Sequence, residues 1–216
     1  LFRSIAVPPR SPAASLHNGC AQLRALDLAA ALAGPPYKAR DVGFDLDFAP
    51  VADVDSNPKN PVIGDRAFGA DVGMVSALGR AACDGLLSGG VAPVIKHMPG
   101  HGRAGVDSHL ALPVVATDLE TLDATDFAPF RALNDAPMAM TAHVVYAAAD
   151  PDLALTVSKT AIDALVRGRI GFDGLLMSDD LSMKALGGDL ASRAGRSVEA
   201  GCDVVLHGDR KSTRLN

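Results

Sequence analysis

Lys96, His97, His101, Asp107 and His109 fall within one fourteen-residue stretch, KHMPGHGRAGVDSH at 96–109. Pro99, Gly100 and Gly102 turn this segment sharply and let its backbone approach a ligand. Three chemistries compete for it. His97 and His101 have the i, i+4 spacing of a zinc-binding helix, but Pro99 and Gly100 between them oppose a helix. No Glu follows His97 as a metalloprotease base would. A second reading is a solvated polar loop. The third puts Asp107 and His109, at i and i+2, on one side of an extended or turn segment. A carboxylate bonded to an imidazole fixes its tautomer and raises its basicity, so such a histidine both gives and takes a proton near neutral pH. Lys96 and His97 are then donors that hold the ligand.

Two further segments carry chemistry. In SDDLSM, 178–183, Asp179 ends a buried apolar run and can be a nucleophile, a base or a metal ligand. Asp180 beside it is read as the cap of a following helix, a position that favours carboxylates. In NPKNPVIGDRAFG, 57–69, with Asp53 upstream, two Asn-Pro pairs and a glycine make a stiff loop around Arg66. A guanidinium there grips hydroxyl and carbonyl oxygens in a fixed fork. The bland alternative pairs Arg66 with Asp65 or Asp71.

These residues need elements to position them, and the hydrophobic pattern supplies an alternation. Strands are predicted at 44–51 (FDLDFAPV), 91–97 (VAPVIKH), 137–144, 174–178 (GLLMS) and 202–207 (CDVVLH). Helices are predicted at 71–88, closed by Gly89 and Gly90, and from a Thr117-x-x-Glu120 capping box through Leu133. Two more run from a Ser158 cap to Gly171 and over 190–200. Alternating strands and helices imply a parallel α/β sheet whose strands are buried on both faces. The polar residues gather at strand ends (Asp53, Lys96, His97, Thr141, His143, Asp179 and Asp180), where α/β folds place their sites. Pro-rich residues 1–43 read differently, with helical character only at 21–32 and a candidate strand at 5–7.

Composition narrows the classes. The 216 residues are 48% hydrophobic and 21% charged, a globular balance with enough chain for a sizeable core. A net charge of −5 argues against nucleic acid as the main partner. No apolar run is long enough to span a bilayer, and no signal-peptide pattern opens the chain. Three scattered cysteines (Cys20, Cys83 and Cys202) fit buried thiols in a reducing compartment better than disulfides or a zinc site. With no Trp and two Tyr, a ligand is held by polar groups.

Four pieces, in this order and spacing, resemble the N-terminal domain of glycoside hydrolase family 3, in its bacterial β-N-acetylhexosaminidase (β-N-acetylglucosaminidase) branch. They are DLDFAPVADVDSNPKNPVIGDRAFG (45–69), VIKHMPGHGRAGVDSHLALP (94–113), MTAHVVY (140–146) and GFDGLLMSDDLSMKAL (171–186). The resemblance implies a (β/α)8 TIM barrel and a retaining mechanism that removes terminal β-linked N-acetylglucosamine. It implies Asp179 as the nucleophile that forms a glycosyl-enzyme. His109, oriented by Asp107, becomes the acid/base in place of the usual second carboxylate. Arg66, Lys96 and His97 become sugar-binding residues, with no metal and no cofactor. The implied partners are N-acetylglucosamine-containing saccharides or muropeptides in cytoplasmic peptidoglycan recycling, with no nucleic acid and no membrane. Oligomeric state is left open.

The departures set further expectations. The family's DQEGG-x-V-x-R-type segment has no match in residues 1–40, and the basic tail RKSTRLN is unlike the family. The chain is therefore expected to hold an atypical segment at 1–40, a partial barrel at 41–207 and an unrelated tail at 208–216. The barrel is expected to be incomplete, with two exposed strand edges. Two other functions stay open: a phosphorolytic β-N-acetylglucosaminidase, because a histidine acid/base does not repel phosphate, and a catalytically inert sugar-binding remnant.

Overall fold

The structure, a computed structural model, describes residues 43–60, 62–105 and 111–208. The expected helix at 21–32, the strand at 5–7, Cys20 and the basic tail after residue 208 lie outside the described residues.

Five strands form one parallel sheet. They are β1 (Leu46–Asp47), β2 (Ala92–Met98), β4 (Met138–Thr141), β6 (Leu175–Asp180) and β7 (Val204–Leu206), in the order β1-β2-β4-β6-β7. Each new strand joins beside the last one. A doubly wound sheet would reverse direction partway, whereas a barrel continues around its axis. The described sheet is therefore part of a (β/α)8 barrel. A smaller parallel pair, β3 (Val114–Val115) with β5 (Val145–Tyr146), was not expected from the sequence.

The strand period of two sorts side chains between two cores. Ile95, Ala139 and Leu176 point outward into a core built with the helices. Their neighbours Val94, Met140 and Met177 point inward and pack with Leu46, Phe48 and Leu206. Lys96 lies two residues beyond Val94, and Asp179 two beyond Met177. Alternation therefore lifts both charged groups onto the inner face, directly above the apolar layer.

The helices cover the outer face. α1 (Val72–Ser88) is capped by Asp71, whose side chain accepts from the Met74 N–H at 2.7 Å. Its buried stripe includes Val75, Ala82 and Leu86, as the pattern predicts. At Gly79 the helix packs closely on its neighbour, since a Cβ there would meet Leu133 Cδ1 at 2.9 Å. The single helix expected from 117 to 133 is two, α2 (Leu119–Ala124) and α3 (Ala128–Ala132). Pro129, in the first turn of the second, has no N–H to continue the first. The cap is Asp118, not Thr117: its carboxylate accepts from Thr121 N at 2.8 Å. Ser158 caps α4 as predicted, accepting from Ala161 N. This helix is α over Lys159–Ala161 and π over Ile162–Ile170, and it ends on left-handed Gly171. α5 (Leu190–Ala200) starts from an Asp189 cap.

Strand limits also differ from the pattern. The run at 44–51 is regular only at Leu46–Asp47, because Pro50 has no N–H to give the ladder. It still follows β2 through bonds from Val94 N to Ala49 O and from Lys96 N to Pro50 O. β6 runs on through Asp180, so no helix starts there. The Asp180 carboxylate instead accepts the N–H groups of Ser182 and Gly208. Cys83 and Cys202 are buried as expected, and burial pushes both thiols up to about 12.

Phe127, Phe130, Leu133 and Phe172 fill the outer core with essentially no exposure. Truncating Phe130 to Ala leaves a cavity between α1, α3 and the sheet. It is expected to cost about 3–5 kcal/mol, read from the denaturant midpoint.

Candidate active site

The site begins with a carboxylate that the barrel hides completely. Asp53 follows β1 in an apolar stretch and is 0% exposed. Its Oδ2 lies 2.7 Å from His97 Nδ1, and both its oxygens accept the His97 backbone N–H, at 3.1 and 3.2 Å. Its Oδ1 also accepts the His101 N–H at 2.6 Å. Burial alone would raise this carboxyl, but the His97 ring and His101 outweigh that and hold it below its ordinary value. A carboxylate bonded at Nδ1 leaves His97 Nε2 as the working atom, and Arg66 Nη2 lies 3.5 Å from it. The Lys96–His97 peptide is cis.

Arg66 ends a short 3-10 turn, Gly64–Arg66, and donates to Val62 O. The turn belongs to a loop that Asn60 ties to the β2 loop. Asn60 gives its amide to His101 O and Gly102 O and accepts from Val62 N and Ile63 N. Tyr146 pins the same loop from β5, donating to Gly100 O at 2.6 Å. Gly100 and Gly102 were expected to let the backbone approach a ligand. What approaches is the protein itself: a Cβ on Gly102 would lie 1.7 Å from Val54 O, and one on Gly100 would lie 3.1 Å from Asp126 O.

Arg66, Lys96, His97, His101 and Asp179 converge on one cavity of about 190 Å³, with Phe48, Met140 and Leu206 forming part of its apolar lining. It is small beside the roughly 300–1,000 Å³ of pockets for drug-sized ligands. Asp179 is 7% exposed, and its Oδ1 accepts the N–H of Asp180 at 2.8 Å. Lys96 Nζ lies 5.9 Å from the Phe48 ring centre. Burial and then the Arg66 charge pull the Lys96 ammonium below its usual pKa, while Asp179, Asp47 and Asp53 oppose them. Burial likewise lowers His101, so its ring is neutral at pH 7.

Four of the six residues singled out from the sequence (Arg66, Lys96, His97 and Asp179) thus meet at one cavity. Asp107 and His109 lie outside the described residues. The sequence reading missed Asp53 as the anchor of His97, and it gave His101 only a metal role. An acid inside the apolar run PVADVD was the available signal for Asp53. Among the described residues, no three His, Cys, Asp or Glu side chains are gathered to hold a metal ion. No helix among them is long and apolar enough to cross a membrane.

A parallel βα sheet whose charged groups converge beyond the C-terminal strand ends defines a TIM-barrel domain with its candidate site at the usual face. The chain belongs to glycoside hydrolase family 3: it matches the family described as "Glycosyl hydrolase family 3 N terminal domain" over residues 18–216. It is 45% identical to a "Beta-hexosaminidase" of Methylococcus capsulatus over 171 residues, covering 77% of this chain and 51% of the relative. It is 41% identical to the "Beta-hexosaminidase" of Pseudomonas aeruginosa over 178 residues, covering 81% of this chain and 53% of the relative. Among solved structures, a glycoside hydrolase family 3 beta-N-acetylglucosaminidase from a Paenibacillus species superimposes with a TM-score of 0.80 at 38% identity, over 89% of this chain and 37% of the other. NagZ from Neisseria gonorrhoeae, solved with N-trifluoroacetyl-D-glucosamine, gives 0.79 at 36% identity, over 88% of this chain and 55% of the other. The chain spans about half the length of the curated relatives it matches.

Two outcomes follow from this geometry. Gly102→Ala drives a methyl into the Val54 backbone and is expected to cost about 3 kcal/mol, read by chemical denaturation. His101 and His143 both titrate below their ordinary value of 6.5 in the folded state, so the unfolded chain binds more protons once the pH falls below 6.5. Stability is therefore expected to be full above that pH and to decline on acidification, read as the melting temperature from pH 7.5 to 5.

Proposed function

We propose that the domain is the catalytic part of a retaining glycoside hydrolase that removes terminal β-linked N-acetylglucosamine. The observation that carries this reading is Asp179, the single acidic side chain among the described residues lining a cavity otherwise set with Arg66, Lys96, His97 and His101. The family's β-hexosaminidase relatives support the substrate class.

In the first half-reaction an Asp179 oxygen attacks the anomeric carbon. The bond to the leaving oxygen breaks, and protonated His109, oriented by Asp107, gives that oxygen its proton. In the second, His109 takes a proton from water, the water oxygen attacks the same carbon, and the ester to Asp179 breaks. Two inversions give net retention. Arg66, Lys96 and His97 hold sugar hydroxyls. An apolar layer beneath a charged rim suits a sugar ring with its polar edge upward.

The substrates we assign are muropeptides and related saccharides, in a cytoplasmic recycling step, with no nucleic acid and no membrane partner. The imidazole acid/base also tolerates phosphate, so phosphorolysis is tested alongside. On an aryl N-acetyl-β-glucosaminide, Asp179→Asn is expected to lower kcat by at least about 10⁴-fold, and Asp107→Ala by less. The sugar product should appear first as the β-anomer. Adding phosphate should leave the product a free sugar, and a sugar phosphate would establish the phosphorolytic reading. Wild-type turnover by Asp179→Asn would end the assignment.

A further inference from the structure

His143 follows β4 and is 0% exposed, yet it is not among the side chains lining the cavity. Burying an imidazole is costly unless both ring nitrogens are bonded. Both are. Nε2 lies 3.1 Å from the carbonyl oxygen of Asp180, and Nδ1 lies 2.8 Å from Thr156 Oγ1. A carbonyl only accepts, so Nε2 carries the proton. On a neutral ring Nδ1 must then accept, and Thr156 donates to it. Thr156 has one proton to give, so Thr141 Oγ1, 2.8 Å away, donates to Thr156. The approach of Thr156 Oγ1 to Ala142 O is longer, at 3.2 Å, and is the weaker competitor for that proton. The bonds therefore run one way, from Thr141 through Thr156 and His143 to the Asp180 carbonyl.

Asp180 is where this chain meets the site. Its N–H leaves the sheet ladder and donates to Asp179 Oδ1 at 2.8 Å. The ladder is irregular at the same point, since the β6–β7 register shifts between Met177 and Asp180. The Asp179–Asp180 peptide thus turns to a side chain, while the next peptide is tied to β7 by its Leu181 N–H, which donates to Leu206 O at 2.9 Å. The Asp180 carbonyl accepts from His143 and from Met183 N, and its carboxylate accepts from Ser182 N and Gly208 N. Of these donors, Ser182 and Met183 follow β6 itself, Gly208 follows β7, and His143 reaches across from the connection after β4.

We propose that His143 is a positioning residue for Asp179. Its Nε2–H fixes the Asp180 carbonyl, and with it the backbone N–H that aims the Asp179 carboxylate into the cavity. Thr156 and Thr141 set the tautomer that makes this possible. The inference rests on the reading of Asp179 as the nucleophile.

Two measurements test it. The first is ¹⁵N imidazole spectroscopy of the wild-type chain at pH 7, which needs no turnover. A neutral, Nε2-protonated His143 is expected, and an Nδ1-protonated ring or an imidazolium would overturn the proposal. The second is kinetics on the aryl glycoside. Thr156→Val, which keeps the side chain's shape, and His143→Phe are each expected to lower kcat by about 100-fold with KM changed by less than about threefold. Thr156→Ser and His143→Gln, which restore a donor at the same place, should recover most of the loss. Undiminished kcat in Thr156→Val, with a native melt, would refute the positioning role. If Asp179→Asn is dead while both His143→Phe and Thr156→Val keep kcat, the positioning inference alone has failed. If Asp179→Asn turns over normally, the nucleophile reading fails and this inference falls with it.

Discussion

The buried carboxylate of Asp53 is the constraint on which the rest of the site depends. It has no access to water, so the chain must satisfy it from within. Two backbone N–H groups and one imidazole do so: the N–H and ring of His97 at the end of β2, and the N–H of His101 in the loop that follows. One desolvated group thereby fixes the direction of His97, the path of the backbone to His101 and the narrow gap that Gly102 must fit. The cost of leaving those donors unpaired in the interior is what keeps the loop from drifting.

Around that anchor the barrel separates stability from chemistry by strand parity. Outward residues such as Ile95 and Leu176 join the aromatic core under the helices, where packing is dense and substitution is expensive. Inward residues build an apolar layer of Val94, Met140 and Met177, and one step further along the same strands stand Lys96 and Asp179. The charges are held in a partly desolvated place where they act strongly on one another. The lowered Lys96 and His101 are consequences of that placement. The connections after the strands then do the fine positioning, through Asn60 on one side and Tyr146 on another.

Much of this was legible from local pattern. Short, near-continuous apolar runs located all five sheet strands, and Ser158 marked a helix start through a side chain that reaches only three residues ahead. The charged residues after apolar runs pointed to Arg66, Lys96, His97 and Asp179, and the structure brings those four to one cavity. Local pattern was less reliable where one residue overrides a window. Pro129 divided a helix that periodicity reads as continuous, and Asp118 took the cap from Thr117. Asp180 looked like a helix cap because paired acids often are, yet the chain stays extended through it.

What the sequence alone determined is therefore what depends on neighbours a few residues away: the alternation of elements, the parity that puts Lys96 and Asp179 on one face, and the side chains able to do chemistry. What only the tertiary structure decided depends on groups far apart in the chain. Asp53 meets His97 across 44 residues and His101 across 48, and His143 meets the Asp180 carbonyl across 37. Gly102 is required by the backbone of Val54, not by a ligand. Hydrogen bonds and close contacts act only over about 3 Å. Their partners are chosen by which strands the barrel lays side by side, and no local spacing encodes that.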